Sequence, residues 1–109
     1  MNKLLILATS LLASQAYAYS QSDISGTWEC MIPGRTYTMT FTPEGKYESH
    51  AGGGSDYAGT YSINGNFLST NYRNINYQSS NLSSSYQVNR VTSNQLVLEA
   101  DGKMIPCNK

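Results

Sequence analysis

Charge is scarce in this chain of 109 residues. Seven Lys and Arg stand against seven Asp and Glu, and the formal net charge is zero. No basic stripe forms, so nucleic acid and anionic lipid are poor partners. Histidine occurs once, at His50. A structural metal site needs about four ligands, and a catalytic base needs a nucleophile and an orienting carboxylate. No spacing in the sequence ties His50 to such a set, and it reads as a solvated loop residue. Gly52-Gly53-Gly54 is followed by neither Lys-Ser nor Lys-Thr, so it is no phosphate loop. Glu44 and Glu48 share no evident common surface, which argues against a glycosidase pair. The expectation is therefore no enzyme activity, no catalytic residue, no metal and no cofactor.

Long apolar runs are missing too, apart from the beginning of the chain. Lys3 supplies a positive start, Leu4–Ala8 and Leu11–Ala13 make a short apolar stretch, and Ala16-Tyr17-Ala18 is a small-x-small cleavage pattern. This is the form of a secretory signal peptide. The run is too short for a membrane anchor, which needs about 20 apolar residues. The chain is expected to divide into a signal peptide at 1–18 and one domain at 19–109. A periplasmic or secreted location follows, with no membrane insertion after cleavage. The mature part would hold 91 residues (109 minus 18), room for one modest core.

Cysteine occurs twice, at Cys30 and Cys107. Two lone cysteines in an oxidising compartment are expected to pair. The bridge would tie the first strand to the last. In the chain-entropy account it would remove roughly 4–5 kcal/mol of denatured-state freedom.

Period-2 alternation dominates from there on. Thr36–Thr42 sets Tyr37, Met39 and Phe41 on one face and four threonines on the other. Pro43-Glu44-Gly45 reads as a turn, and Lys46–His50 as the return strand with Tyr47 inward. Residues 51–56 read as a flexible connector. Tyr57–Ile63 resumes the alternation. Asn64-Gly65 is a strong hairpin signal; as a two-residue loop it would pair Ile63 with Asn66, Ser62 with Phe67 and Tyr61 with Leu68. A weak strand is expected near 73–78, followed by a serine-rich loop up to Ser85. Tyr86–Val91, Gln95–Ala100 and Lys103–Cys107 read as the remaining strands, with turns at 92–94 and 101–102. No segment after the signal shows a helical period. Some eight short strands with tight turns imply an all-β antiparallel up-and-down meander. The terminal disulfide favours its closure into a small barrel.

Gly26-Thr27-Trp28, just ahead of the first expected strand and followed by the meander, resembles the entrance of the lipocalin and calycin group. Gly59–Asn66 and Leu96-Val97-Leu98 also look like small bacterial lipocalin-like domains. The resemblance implies a tryptophan packed across one barrel end with a late arginine over it. Trp28 and Arg90 are the matching residues, and Gly26, Trp28 and Arg90 become the structural set.

Eight of the nine tyrosines lie after residue 18. Tyr37, Tyr47, Tyr61 and Tyr86 occupy inward positions, and with Met39 they are the candidates to line a pocket. Tyr57, Tyr72 and Tyr77, together with Asp56 and Arg73, have the amphipathic composition of recognition surfaces. Two functions follow. One is an exported binding barrel for a small apolar or amphipathic ligand. The other is a protein-binding module that inhibits or neutralises another exported protein, such as a cell-wall hydrolase or a toxin. A monomer is expected in either case. The discriminating feature is the interior. A cavity of roughly 300 Å³ or more favours a ligand, whereas eight short strands can also enclose little beyond their own side chains.

Overall fold

The computed structural model describes residues 18–77 and 80–109. The expected signal segment therefore lies, except for Ala18, outside the described residues. A single turn of helix, α1 (Gln21–Ile24), precedes eight strands: β1 (Gly26–Ile32), β2 (Arg35–Phe41), β3 (Lys46–His50), β4 (Asp56–Asn64), β5 (Phe67–Asn74), β6 (Leu82–Val91), β7 (Gln95–Ala100) and β8 (Lys103–Asn108). Each strand pairs antiparallel with the next, and β8 returns to β1, giving a closed up-and-down barrel. Closure removes the free sheet edges that so small a β-protein would otherwise expose.

Several boundaries differ from the sequence reading. Gly26-Thr27-Trp28 belongs to β1 rather than preceding it. The expected weak strand near 73–78 does not form on its own: β5 runs through Asn74, and 75–77 is a turn. The serine-rich stretch is strand, with Ser83, Ser84 and Ser85 opposite Asn71, Thr70 and Ser69. Cross-strand pairing overrides the weak strand preference of serine here. Small side chains suit the inner face as well, since Ser84 accepts from or donates to the Tyr72 hydroxyl at 2.7 Å.

The β4–β5 hairpin is shifted by one residue. Asn64 pairs with Phe67, Ile63 with Leu68 and Tyr61 with Thr70, so the loop residues are Gly65 and Asn66. Gly65 has φ +65°. Glycine at the first loop position suits a type II′ turn, whose twist matches the strands. Tyr61 and Leu68 still face the core, and Phe67 still lies outside. At the β7–β8 turn the expected Asp101-Gly102 loop does form, both residues with positive φ.

The closing ladder is the shortest of the barrel. Only Glu29–Asn108 and Cys30–Cys107 pair across it. The next pair in register would oppose Met31 to Pro106, which has no N–H to donate. The Cys30–Cys107 disulfide lies on this short seam and is wholly buried. Covalent closure thus stands where hydrogen bonding is thinnest.

The core lies toward one end. Ile24 from α1, Trp28, Met39, Phe41, Leu68, Leu96 and Leu98 are almost fully buried. Trp28 donates its indole N–H to the Ile24 carbonyl at 2.9 Å, which ties α1 under the barrel. The backbone N–H of Tyr19 donates to the Gly65 carbonyl and holds the approach to α1. These contacts seal one end. Residues 33–34, 51–55, 75–77, 80–81 and 101–102 surround the other.

Candidate functional site

Alternation places one side chain of every second residue inside, so each strand contributes to both ends. At the sealed end the interior residues are aliphatic or large aromatic. At the open end they are tyrosine and serine. Tyr37 from β2, Tyr47 and Ser49 from β3, Tyr57 from β4, Tyr72 from β5 and Tyr86 from β6 surround a cavity of about 380 Å³. Ile32, Arg35, Ala51, Ser55 and Leu82 form its rim. The volume lies within the range of small-molecule sites. The space opens to solvent at the barrel mouth and is not enclosed.

The ring arrangement is mutually braced. Tyr72 meets Tyr47 at 5.8 Å and Tyr57 edge-on at 5.4 Å between ring centroids. Tyr47 also contacts Phe41 below it at 5.4 Å. Such tilted and edge-on pairs are favourable aromatic geometries. Burial, reinforced by Tyr86, pushes the Tyr37 hydroxyl up to about 12. Burial raises Tyr47 still further, and raises Tyr86 as well. These phenols stay protonated at neutral pH and present O–H groups that both donate and accept.

One backbone contact keeps the walls in place. A Cβ added at Gly59 would lie 1.8 Å from the Asn71 carbonyl oxygen and 2.7 Å from the Tyr72 Cα. Only glycine lets β4 approach β5 this closely beside Tyr72.

The structure redraws the tyrosine groups. Tyr37, Tyr47 and Tyr86 line the cavity as expected. Tyr61 and Met39 do not. Tyr61 donates its hydroxyl to the Thr42 carbonyl at 2.6 Å and packs edge-on against Phe41, both toward the sealed end. Met39 is fully buried in the core next to Trp28, across the β1–β2 ladder. Conversely, Tyr57 and Tyr72, expected on a partner-binding surface, point into the cavity. Arg73 faces outward and lines a surface groove with Lys46 and Glu48. Tyr77 remains on the surface, 66% exposed. For Tyr72 the reason is the strand boundary: once β5 runs through Asn74, Tyr72 shares the inner face with Leu68 and Thr70. Tyr61 and Met39 point inward but lie nearer the sealed end.

His50 is not a loop residue. It ends β3 and pairs with Asp56, the first residue of β4. Its Nδ1 lies 2.9 Å from Asp56 and its Nε2 3.2 Å from Glu48. Both ring nitrogens are thus occupied by carboxylates, and the group holds together the outer rim of the mouth. The hydrogen bonds to Asp56 and then to Glu48 raise the imidazole above its ordinary range. Asn76 and His50 hold Asp56 below its own. Asn76 donates to Asp56 at 2.9 Å, and Asn74 and Asn76 both donate to the Gly54 carbonyl. The 51–55 and 75–77 segments are joined through this network. Among the described residues no group of three or more His, Cys, Asp or Glu side chains is placed to hold a metal ion.

At the sealed end the cation over the tryptophan is Lys109, not Arg90. Lys109 Nζ stands 4.8 Å from the Trp28 ring centroid. Arg90 is exposed on β6, just past an irregularity in its pairing with β7. Gly26 has φ +130°, a backbone conformation that favours glycine, and lies beside the Lys109 side chain. Gly26, Trp28 and Lys109 thus stand together at this end.

Against this geometry stands the comparison with known proteins: no family model, no curated protein and no solved structure matches the chain.

Proposed function

We propose that this protein is an exported, lipocalin-like binding barrel that holds a small amphipathic molecule in the tyrosine-lined cavity at its open end. The observation that carries the reading is the cavity of about 380 Å³ above a fully buried core. A closed barrel wall, five tyrosine rings among the lining residues and a few convergent hydroxyls are the ingredients of a small-ligand site. The buried disulfide in so small a domain suits an oxidising compartment, consistent with export. The Trp28–Lys109 arrangement under a single up-and-down barrel supports the kinship with lipocalin-like domains.

A fluorescent apolar amine, phenylnaphthylamine, provides the test. Saturable binding of one molecule per chain is expected. Ser49→Phe, which puts a ring into the cavity from β3, should abolish it while leaving the near-ultraviolet dichroism of Trp28 intact. Binding undiminished in that variant would contradict the reading.

A second reading has its own observation. Ile75, Tyr77 and Leu82 flank one loop at the mouth, and their exposures are 56, 66 and 44%. A surface of this kind suits contact with another exported protein, as an inhibitor or immunity module would need. Capture of a stoichiometric protein partner, lost with Tyr77→Ser and kept in Ser49→Phe, would favour it over ligand binding.

A further inference from the structure

Of the eleven side chains that line the cavity, one carries a charge. That one is Arg35, at the start of β2 on the rim. No carboxylate lines the space. The acidic groups nearest in sequence, Glu48 and Asp56, are bound to His50 and to each other's strand on the outer side of the wall. Arg35 is fixed across the mouth by a hydrogen bond from its Nη2 to Ser55 Oγ at 3.1 Å. Its charge also acts on the Tyr37 hydroxyl, against the burial that raises it. A guanidinium offers a planar fork of N–H donors, the geometry that carboxylates and sulfonates accept. The neighbouring phenols and serines add O–H donors, and nothing in the lining repels an anion.

Resting on the reading of the cavity as a ligand site, we propose that its ligand is an anionic amphiphile. The acid group, a carboxylate or sulfonate, docks at Arg35 on the rim. The ring-bearing apolar body lies below, among Tyr37, Tyr47, Tyr57, Tyr72 and Tyr86.

A matched pair of dyes separates this proposal from the broader one. Anilinonaphthalene sulfonate and phenylnaphthylamine share a ring system and differ in the sulfonate. The full-length folded protein should bind the sulfonate about tenfold more tightly, the scale of one charge-assisted contact. Arg35→Gln should remove that preference, weakening sulfonate binding about tenfold more than phenylnaphthylamine binding. Arg35→Lys should restore most of it, and Arg73→Gln, on the outer face, should have no effect. Equal affinity for the two dyes, or a preference that survives Arg35→Gln, overturns the anionic ligand while the cavity reading stands. Failure of both dyes to bind the unaltered protein overturns both readings.

Discussion

At the sealed end of the barrel, Trp28 is fully buried, its N–H is satisfied by Ile24, and Lys109 covers its face. At the open end, five tyrosines surround a cavity, with the Tyr72 hydroxyl against Ser84 and its ring against Tyr47 and Tyr57. Both ends use large aromatic rings on the same alternating strands. The difference lies in what lies beneath each ring. Aliphatic residues from β7 and β8, Leu96, Leu98 and Ile105, are buried in the core, whereas β7 and β8 contribute nothing to the cavity lining. A barrel whose walls are continuous can therefore be solid at one end and hollow at the other. Stability should reside at the first and binding at the second.

The largest expected effect is on closure. Replacing Cys30 and Cys107 together by Ala removes a link between residues 77 apart in sequence. Loss of stability of about 4.5 kcal/mol is expected in the chain-entropy account, read as a lower urea midpoint. Next comes the sealed end: Trp28→Ala should cost about 4 kcal/mol, the range for a fully buried large aromatic. At the open end, Tyr72→Phe removes one hydroxyl contact with Ser84, and about 1 kcal/mol is expected by the same denaturation. A cost at Tyr72 equal to that at Trp28 would erase the contrast between the ends.

The smallest effect concerns the rim. His50 is raised above its ordinary 6.5. Its contribution is complete below that pH and fades as pH rises through the raised value. Asp56 is lowered from its ordinary 3.8. Its contribution is complete above that value and fades as pH falls through the lowered one. The melting temperature should thus be highest between these limits, and His50→Gln should flatten its decline on the alkaline side. Because the side chains are substantially solvent-exposed, the amplitude will be small.

Much of this architecture was legible in the residues. Strict alternation through Thr36–Thr42, the turns at 43–45 and 101–102, and two cysteines at the chain ends led to an eight-stranded closed barrel with that disulfide. The site was only half legible. Tyr37, Tyr47 and Tyr86 sit on clear strands, so parity alone placed them. Tyr57 opens an alternating strand on the face of Tyr61, yet its place beside the Gly-rich connector makes it read as surface. Tyr72 lies in an Asn-rich segment whose strand character comes from its pairing partners. Lys109 over Trp28 depends on where β8 ends, and the His50–Asp56 contact on the β3–β4 register. The first is a long-range outcome of closure, and the second is set within a single hairpin.

The most direct test of a barrel hollow at one end is to follow proton resonances while phenylnaphthylamine is titrated in. The indole N–H of Trp28, the only tryptophan, reports the sealed end, and the rings of Tyr37, Tyr47, Tyr57, Tyr72 and Tyr86 report the cavity. Shifts should appear at those five rings, with the Trp28 signal unmoved. Shifts at Trp28, or on the outer face alone with the five tyrosines silent, would contradict the account.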